Sequence, residues 1–208
     1  MRISVDIDRF TAAGYDVPGQ AAWRAGFGGR YVVTTGGLAP ESGCLDLLEA
    51  HAILVQEQAA LSDVRLVVAG QDEHADAEHV EEFTRRDAEL GADPILLGPV
   101  PEADFAALVA GASVFGYLPT QDADCASAIE ALAAGVPVIA RDLLTVRAVL
   151  RDVVEYGDTV LSIADALVDV LTDPPEPEPG IALPTAYADA SEDGVVEEQP
   201  DRGDRREE

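Results

Sequence analysis

The stretch RYVVTTGGLAPESGCLDLLEAHAILVQEQAALSDVRLVVAG, residues 30–70, decides the fold. Its opening RYVVTT (30–35) is a β-branched apolar run, suited to a strand buried on both faces. GGLAPESG (36–43) is turn chemistry, dominated by Gly, Pro and Ser. CLDLLEAHAILVQEQAAL (44–61) sets Leu47, Leu48, Ala50, Ile53, Leu54 and Leu61 at helical spacing. VRLVVAG (64–70) is a second apolar run. Strand, loop, helix and strand at this spacing make a βαβ unit.

Outward from this unit the alternation continues. DAEHVEEFTRRDAELG (76–91) is a polar helix with Val80, Phe83 and Leu90 as its inner stripe. DPILLG (93–98) is a short strand, and PEADFAALVAGA (101–112) is a helix with acids in its first turn, as the helix dipole favours. SVFGYLP (113–119) is a fourth strand, CASAIEALAAG (125–135) a helix closed by Gly135, and VPVIA (136–140) a fifth strand. Helices near 143–151 and 161–172 complete the series. The predicted fold is α/β, a Rossmann-like parallel sheet with helices on both faces. Ligands of such sheets sit at the carboxyl ends of the strands, where strand order reverses. The loops at 36–43, 70–75, 118–124 and 140–143 are therefore the ones to inspect. Residues 1–29 are read as an irregular, hinge-like lead-in, residues 30–172 as the domain, and residues 173–208 as a disordered acidic tail.

Composition narrows the partners. The 208 residues carry a net charge of −27, and all 13 cations are arginine. Nucleic acid is excluded as a partner, because phosphate binding needs clustered cations. Acid-rich, lysine-free surfaces stay soluble where salt screens self-repulsion. A salt-loaded, halophilic cytoplasm and a GC-rich genome both account for this composition. No run reaches the ~20 apolar residues of a membrane span, and the start MRISVDIDRF has acids where a signal peptide has an apolar core. The expected location is cytoplasmic. From residue 173 the text turns to DPPEPEPG and holds 12 acids against 3 arginines. That composition does not offset its own ordering entropy. Two readings of the tail stand, a solvated appendage and a partner-binding segment.

Four stretches resemble the carboxy-terminal, donor-binding domain of family-4 glycosyltransferases of the GT-B architecture. SVDIDRF (4–10) is similar to the interdomain hinge N-G-V-D-x-x-x-F. TGGLAPESGCLDLLEAHAIL (35–54) is similar to G-R-L-x-x-x-K-G-x-D-x-L-L-x-A. VRLVVAGQ (64–71) and ILLGPVPEADFAALVAGASVFGYLPT (95–120) follow the family's second strand and its F-L-G-x-V run. IEALAAGVPVIARD (129–142) is similar to L-E-A-M-A-x-G-x-P-V-V-A. The order and spacing of these stretches over some 170 residues carry the resemblance. It implies a retaining glycosyltransferase domain, one GT-B half, that binds a UDP- or GDP-type nucleotide sugar and needs no metal or other cofactor. It also implies an acceptor domain ahead of the hinge, here expected from a partner chain or lost by truncation. A non-catalytic binding or assembly module is the alternative.

The resemblance also implies which residues meet the donor. A diphosphate leaving group calls for cations and helix amino-termini. The family's Arg and Lys positions read Gly37 and Ser42 here, so both cations are missing. Gly36, Gly37, Ser42 and Gly43 form the expected phosphate loop. The family's paired glutamates, separated by seven residues, read Asp122 and Glu130. Asp122 is set to meet the sugar or simply solvent; Glu130 is set to meet the ribose or to be a helical surface acid. The family's flexible glycines read Ala123, Asp124 and Cys125, and Cys125 and Ala126 open the following helix. Asp124 sets a negative charge beside an anionic ligand. Arg141, after the fifth strand, is either a substitute phosphate cation or a surface ion pair. The catalytic groups are not identified. Cys44 and Cys125 are read as free thiols that could flank one cleft. His74, Asp76 and His79 are read as a solvated loop rather than a metal site, and Trp23 and Phe27 as core cover.

Overall fold

The computed structural model describes residues 5–70, 76–121 and 123–180. Six strands form one parallel sheet: β1 (Tyr31–Thr35), β2 (Arg65–Ala69), β3 (Ile95–Gly98), β4 (Val114–Tyr117), β5 (Val138–Arg141) and β6 (Glu155–Gly157). Their order is β3-β2-β1-β4-β5-β6, and every neighbouring pair is parallel. The expected α/β Rossmann-like sheet is therefore present. Strand order reverses between β1 and β4, where Val32 pairs with Val114 and Val33 with Phe115.

The two-residue period of the strands sends alternate side chains to opposite faces. Val33, Val67, Phe115, Val138 and Ala140 face a layer made of α1 (Ile7–Tyr15), α2 (Val17–Phe27), α5 (Glu102–Gly111), α6 (Ala126–Ala133) and α7 (Leu144–Leu150). Val32, Leu66, Val68, Val114 and Ile139 face α3 (Cys44–Glu57), α4 (Ala77–Leu90) and α8 (Val160–Thr172). Leu47, Leu48 and Leu54 of α3 are fully buried, as the helical spacing required. Each such side chain contributes roughly 1.5–3 kcal/mol of transfer free energy.

The lead-in is a correction. Residues 1–29 were expected to be irregular, yet from Ile7 onward they form α1 and α2. Each helix has an aspartate cap: Asp6 accepts from the Arg9 amide at 3.2 Å, and Asp16 from the Gly19 amide at 3.2 Å. Such caps satisfy amides that have no partner within the helix. Phe10 is wholly buried and meets Phe105 of α5 edge-on, while Trp23 and Phe27 pack on the same layer and Phe27 abuts Tyr31.

The tail corrects a second expectation, that disorder begins at residue 173. Through Gly180 the chain is a docked strap, and the remainder lies outside the described residues. Pro179 is buried, Gly180 donates its amide to the Ala133 carbonyl at 2.9 Å, and the Tyr15 hydroxyl reaches the Pro179 carbonyl at 3.4 Å. The strap thus joins α1 to the end of α6. Gly14 makes the seat: a Cβ there would lie 2.6 Å from the Ala134 carbonyl oxygen and 2.7 Å from Pro179. The sixth strand, β6, and its pairing with β5 were also not anticipated.

His51 is 2% exposed on α3, and its Nε2 bonds the Val64 carbonyl at 2.9 Å. Nδ1 is buried with no hydrogen-bond partner among the described residues. Burial, foremost, holds its pKa below the ordinary histidine value.

Two outcomes follow from these contacts. Gly14→Ala will destabilise the protein by about 1–3 kcal/mol through overpacking, although Gly→Ala inside a helix ordinarily gains about 1 kcal/mol; urea unfolding measures the sign. The depressed pKa of His51 means its contribution is present above pH ~6.5 and is lost as pH falls toward its folded value. His51→Gln, which keeps a donor for Val64, will flatten the drop in melting temperature between pH 7 and pH 5 relative to the parent.

Candidate functional site

The carboxyl tips of β1 and β4 diverge at the reversal of strand order, and two loops leave there side by side. The β1 loop turns through Gly36 (φ 102°), Gly37 (φ 60°) and Gly43 (φ 69°), a left-handed region open to glycine at little cost. Gly43 is the tightest of the three. A Cβ on it would stand 1.9 Å from the Leu118 carbonyl oxygen, so only glycine lets α3 begin against the β4 exit. The Thr120 amide donates to the Glu41 carbonyl at 3.1 Å, which stitches the two loops into one lip. From the far side, Gly70 presses on the amides of Gly36 and Gly37; residues 71–75 of that loop lie outside the described residues.

The helix amino-termini at this lip are partly occupied by the chain itself. Ser42 Oγ donates to the Ala39 carbonyl at 2.7 Å and accepts from the Cys44 amide at 3.3 Å. Its hydroxyl, in the loop expected to hold the phosphate, is spent on its own backbone. Asp124 Oδ1 accepts from the Ala126 amide at 3.1 Å, capping α6 with a carboxylate. That is where an anionic ligand would otherwise be bound. Cys125 sits in the left-handed region at φ 59°, where the resemblance has a flexible glycine. Tyr117, on β4, accepts the Cys125 amide at 3.0 Å and steadies this turn. Its phenol is held above its ordinary pKa by burial.

Arg141 closes the lip from the β5 side. Its Nη2 lies 2.5 Å from Asp46 Oδ2 in the first turn of α3, and 3.4 Å from the Leu118 carbonyl. The side chain is only 12% exposed, and its Nε has no hydrogen-bond partner among the described residues. Gly43 and Arg141 thus meet at the Leu118 carbonyl, Gly36, Gly37 and Ser42 contact one another within the β1 loop, and Cys125 and Ala126 start α6 beyond the β4 exit. Asp122 lies outside the described residues.

Glu130 is placed differently. It is half-buried on α6, facing the backbone amide of Asp6 and the charge of Arg9. Burial, foremost, raises its pKa, against the pull of that amide and that arginine. Sequence reasoning did not find Asp46 or Tyr117. Asp46 sits in the first turn of α3, where acids are common for helix-dipole reasons alone, so its pairing with Arg141 left no distinct trace.

The thiols do not share one pocket: Cys44 packs in the α3–α4–α8 layer and Cys125 in the layer of α5 and α6. Both are free, and burial raises both pKa values. Asp76 caps α4, accepting from the His79 amide at 2.6 Å, and His79 Nε2 stands 3.7 Å from Cys44 Sγ; His74 lies outside the described residues. No cluster of three or more His, Cys, Asp or Glu fit for a metal occurs among the described residues. None of the described helices is long and apolar enough to cross a membrane. A groove of about 760 Å³ opens at the opposite edge of the sheet, lined by Val136, Pro137, Val154, Asp169 and Glu178 among others. It lies where β5 and β6 begin, away from the carboxyl tips of β1 and β4.

The family model described as "Glycosyl transferases group 1" matches residues 29–173. No curated protein matches the chain. Among solved structures, an α,α-trehalose-phosphate synthase (UDP-forming) from Burkholderia vietnamiensis is similar with a TM-score of 0.70 and 17% identity, over 83% of this chain and 42% of that one. Anabaena HepE, solved in complex with UDP and glucose, is similar with a TM-score of 0.67 and 18% identity, over 78% of this chain and 45% of that one. The chain spans less than half the length of either structure, and at these identities the likeness is one of fold. With the match to the family covering most of the chain, the protein belongs to the group 1 glycosyl transferases, of GT-B architecture.

Proposed function

We propose that the chain is the donor-side half of a retaining glycosyltransferase and binds a nucleoside diphosphate sugar, of the UDP type in the first instance, at the lip between β1 and β4. The observation that carries this reading is the approach of Gly43 to the Leu118 carbonyl, which aims the amino-terminus of α3 at the reversal of strand order. The family match and the UDP bound to HepE support it. In this reading the diphosphate lies over the Gly36–Gly37 turn and the start of α3. The ribose lies toward Glu130, a half-buried carboxylate with acceptor sites to offer its hydroxyls. The sugar lies toward Asp122. The acceptor side and the remaining catalytic groups come from a second GT-B half.

A second reading has a specific observation in its favour. Ser42 and Asp124 occupy amides that a phosphate would use, and Gly37 and Ser42 stand where the resemblance has cations. A binding or assembly module that no longer takes a donor would look like this. Each missing charge-assisted hydrogen bond removes about 1.5–3 kcal/mol, so the donor reading expects weak, not absent, affinity.

Calorimetric titration with UDP, UDP-glucose and GDP separates the two. The donor reading expects UDP to bind in the high-micromolar to millimolar range. Ser42→Lys, which returns a cation at the mouth of α3, will tighten UDP by about tenfold, the worth of ~1.4 kcal/mol. Gly37 is the poorer place for that test, since its φ of 60° strains any larger side chain. Absence of heat with every nucleotide at millimolar concentration, in low and in molar salt, leaves the module reading.

A further inference from the structure

We infer that Arg141 is the phosphate cation of this site, in place of the cations absent at positions 37 and 42, and that Asp46 is the counter-ion an incoming diphosphate displaces. The inference rests on the donor reading above and assigns the charge that reading lacks.

Position comes first. The guanidinium touches the Leu118 carbonyl, the same oxygen that Gly43 packs against. It therefore stands beside the amino-terminus of α3, although the residue itself comes from β5. Asp46, its partner, lies in the first turn of that helix. Cation and helix amino-terminus thus act on one volume, the combination that binds phosphate.

Capacity comes second. A guanidinium carries five N–H donors in a fixed fork and is always charged. Among the described residues, only Nη2 is engaged, by Asp46 and more weakly by Leu118. Nε is buried and without a hydrogen-bond partner there, an unpaired donor that ordinarily calls for an acceptor. Arg9 also has a buried Nε without a hydrogen-bond partner among the described residues, but it comes from α1 and pairs with Asp6 and Glu102; the remaining arginine pairs differ further. Arg147 is held by Asp142 and lies over Tyr156 on the surface, and Arg85 and Arg86 are committed to Glu82, Glu89 and Glu49 on α4 and α3.

The role of Asp46 follows from charge. It neutralises Arg141 while the site is empty and keeps the fork in place. A diphosphate arriving at the same Nη2 meets a like charge, so Asp46 lowers affinity for the anion. The pair is a brake on ligand binding, released by substitution or by the ligand itself.

The test uses the full chain, with UDP, uridine and inorganic pyrophosphate as probes, titrated into the parent and into Arg141→Gln, Arg141→Lys and Asp46→Asn. Arg141→Gln is expected to weaken UDP and pyrophosphate by about tenfold or more, the loss of a charge-assisted bond, and to leave uridine unchanged. Arg141→Lys will recover part of that loss. Asp46→Asn will tighten UDP and pyrophosphate by about three- to tenfold as a like charge is removed, again with uridine unchanged. Equal weakening of all three probes by Arg141→Gln would mean a structural role and overturn the inference, as would weaker pyrophosphate binding in Asp46→Asn, a variant independent of any folding defect in the first. If pyrophosphate binds through Arg141 while UDP and uridine do not bind, the donor reading falls and the anion site stands. If neither UDP nor pyrophosphate binds the parent, both fall.

Discussion

Gly43 packs its backbone directly on the carbonyl of Leu118, and the arrangement of the site follows from that contact. A side chain of any size would force α3 away from β4. With glycine, the helix starts at the tip of the sheet, its leucines reach the layer shared with α8, and its first turn comes within reach of a residue from β5. The two loops that leave β1 and β4 are then close enough to exchange backbone hydrogen bonds. A binding lip, a buried helix face and an ion pair across 95 residues of sequence all rest on one missing methyl group.

The electrostatic character of the molecule comes from many small pairings and one placed differently. Most of the described arginines pair with carboxylates in the open, such as Arg30 with Asp63 and Arg65 with Asp93. Water and salt screen such pairs, and each adds little to stability. The pair of Arg141 and Asp46 is set apart by the low exposure of its guanidinium and by its place at the strand tips. On a chain of net charge −27, a shielded guanidinium neutralised by one carboxylate at the mouth of a helix is a local break in the excess of negative charge. Local fields of that kind, rather than net charge, govern what binds in a crevice.

Much of the architecture was legible because long apolar runs and glycine turns announce themselves. Five strands fell where short apolar runs stood, and Gly36, Gly37 and Gly43 marked the lip through their freedom of φ. What escaped had a physical reason. β6 is three residues long, Glu155–Gly157, with an exposed glutamate, and offers no alternation to read. α1 and α2 are short and carry glycines, yet Asp6 and Asp16 were cap signals that could have revealed them. The ion pair of Arg141 with Asp46 and the turn of Glu130 toward Asp6 join segments far apart in sequence, and no local pattern encodes such meetings. The strap over residues 173–180 is hidden in the sequence because proline and glutamate also compose disordered tails; the difference lies in Pro179, which finds a seat that Gly14 leaves empty.

That seat has a consequence for the order of assembly. The first described helix of the chain is clasped by one of the last described segments, with Tyr15 bonded to a carbonyl 164 residues downstream. During synthesis α1 leaves the ribosome early, and the proline that completes its berth leaves only after the whole sheet has followed. Until then one flank of α1 stays open to water or to a chaperone, so translation speed across the second half of the message sets how long the nascent chain must wait unfinished.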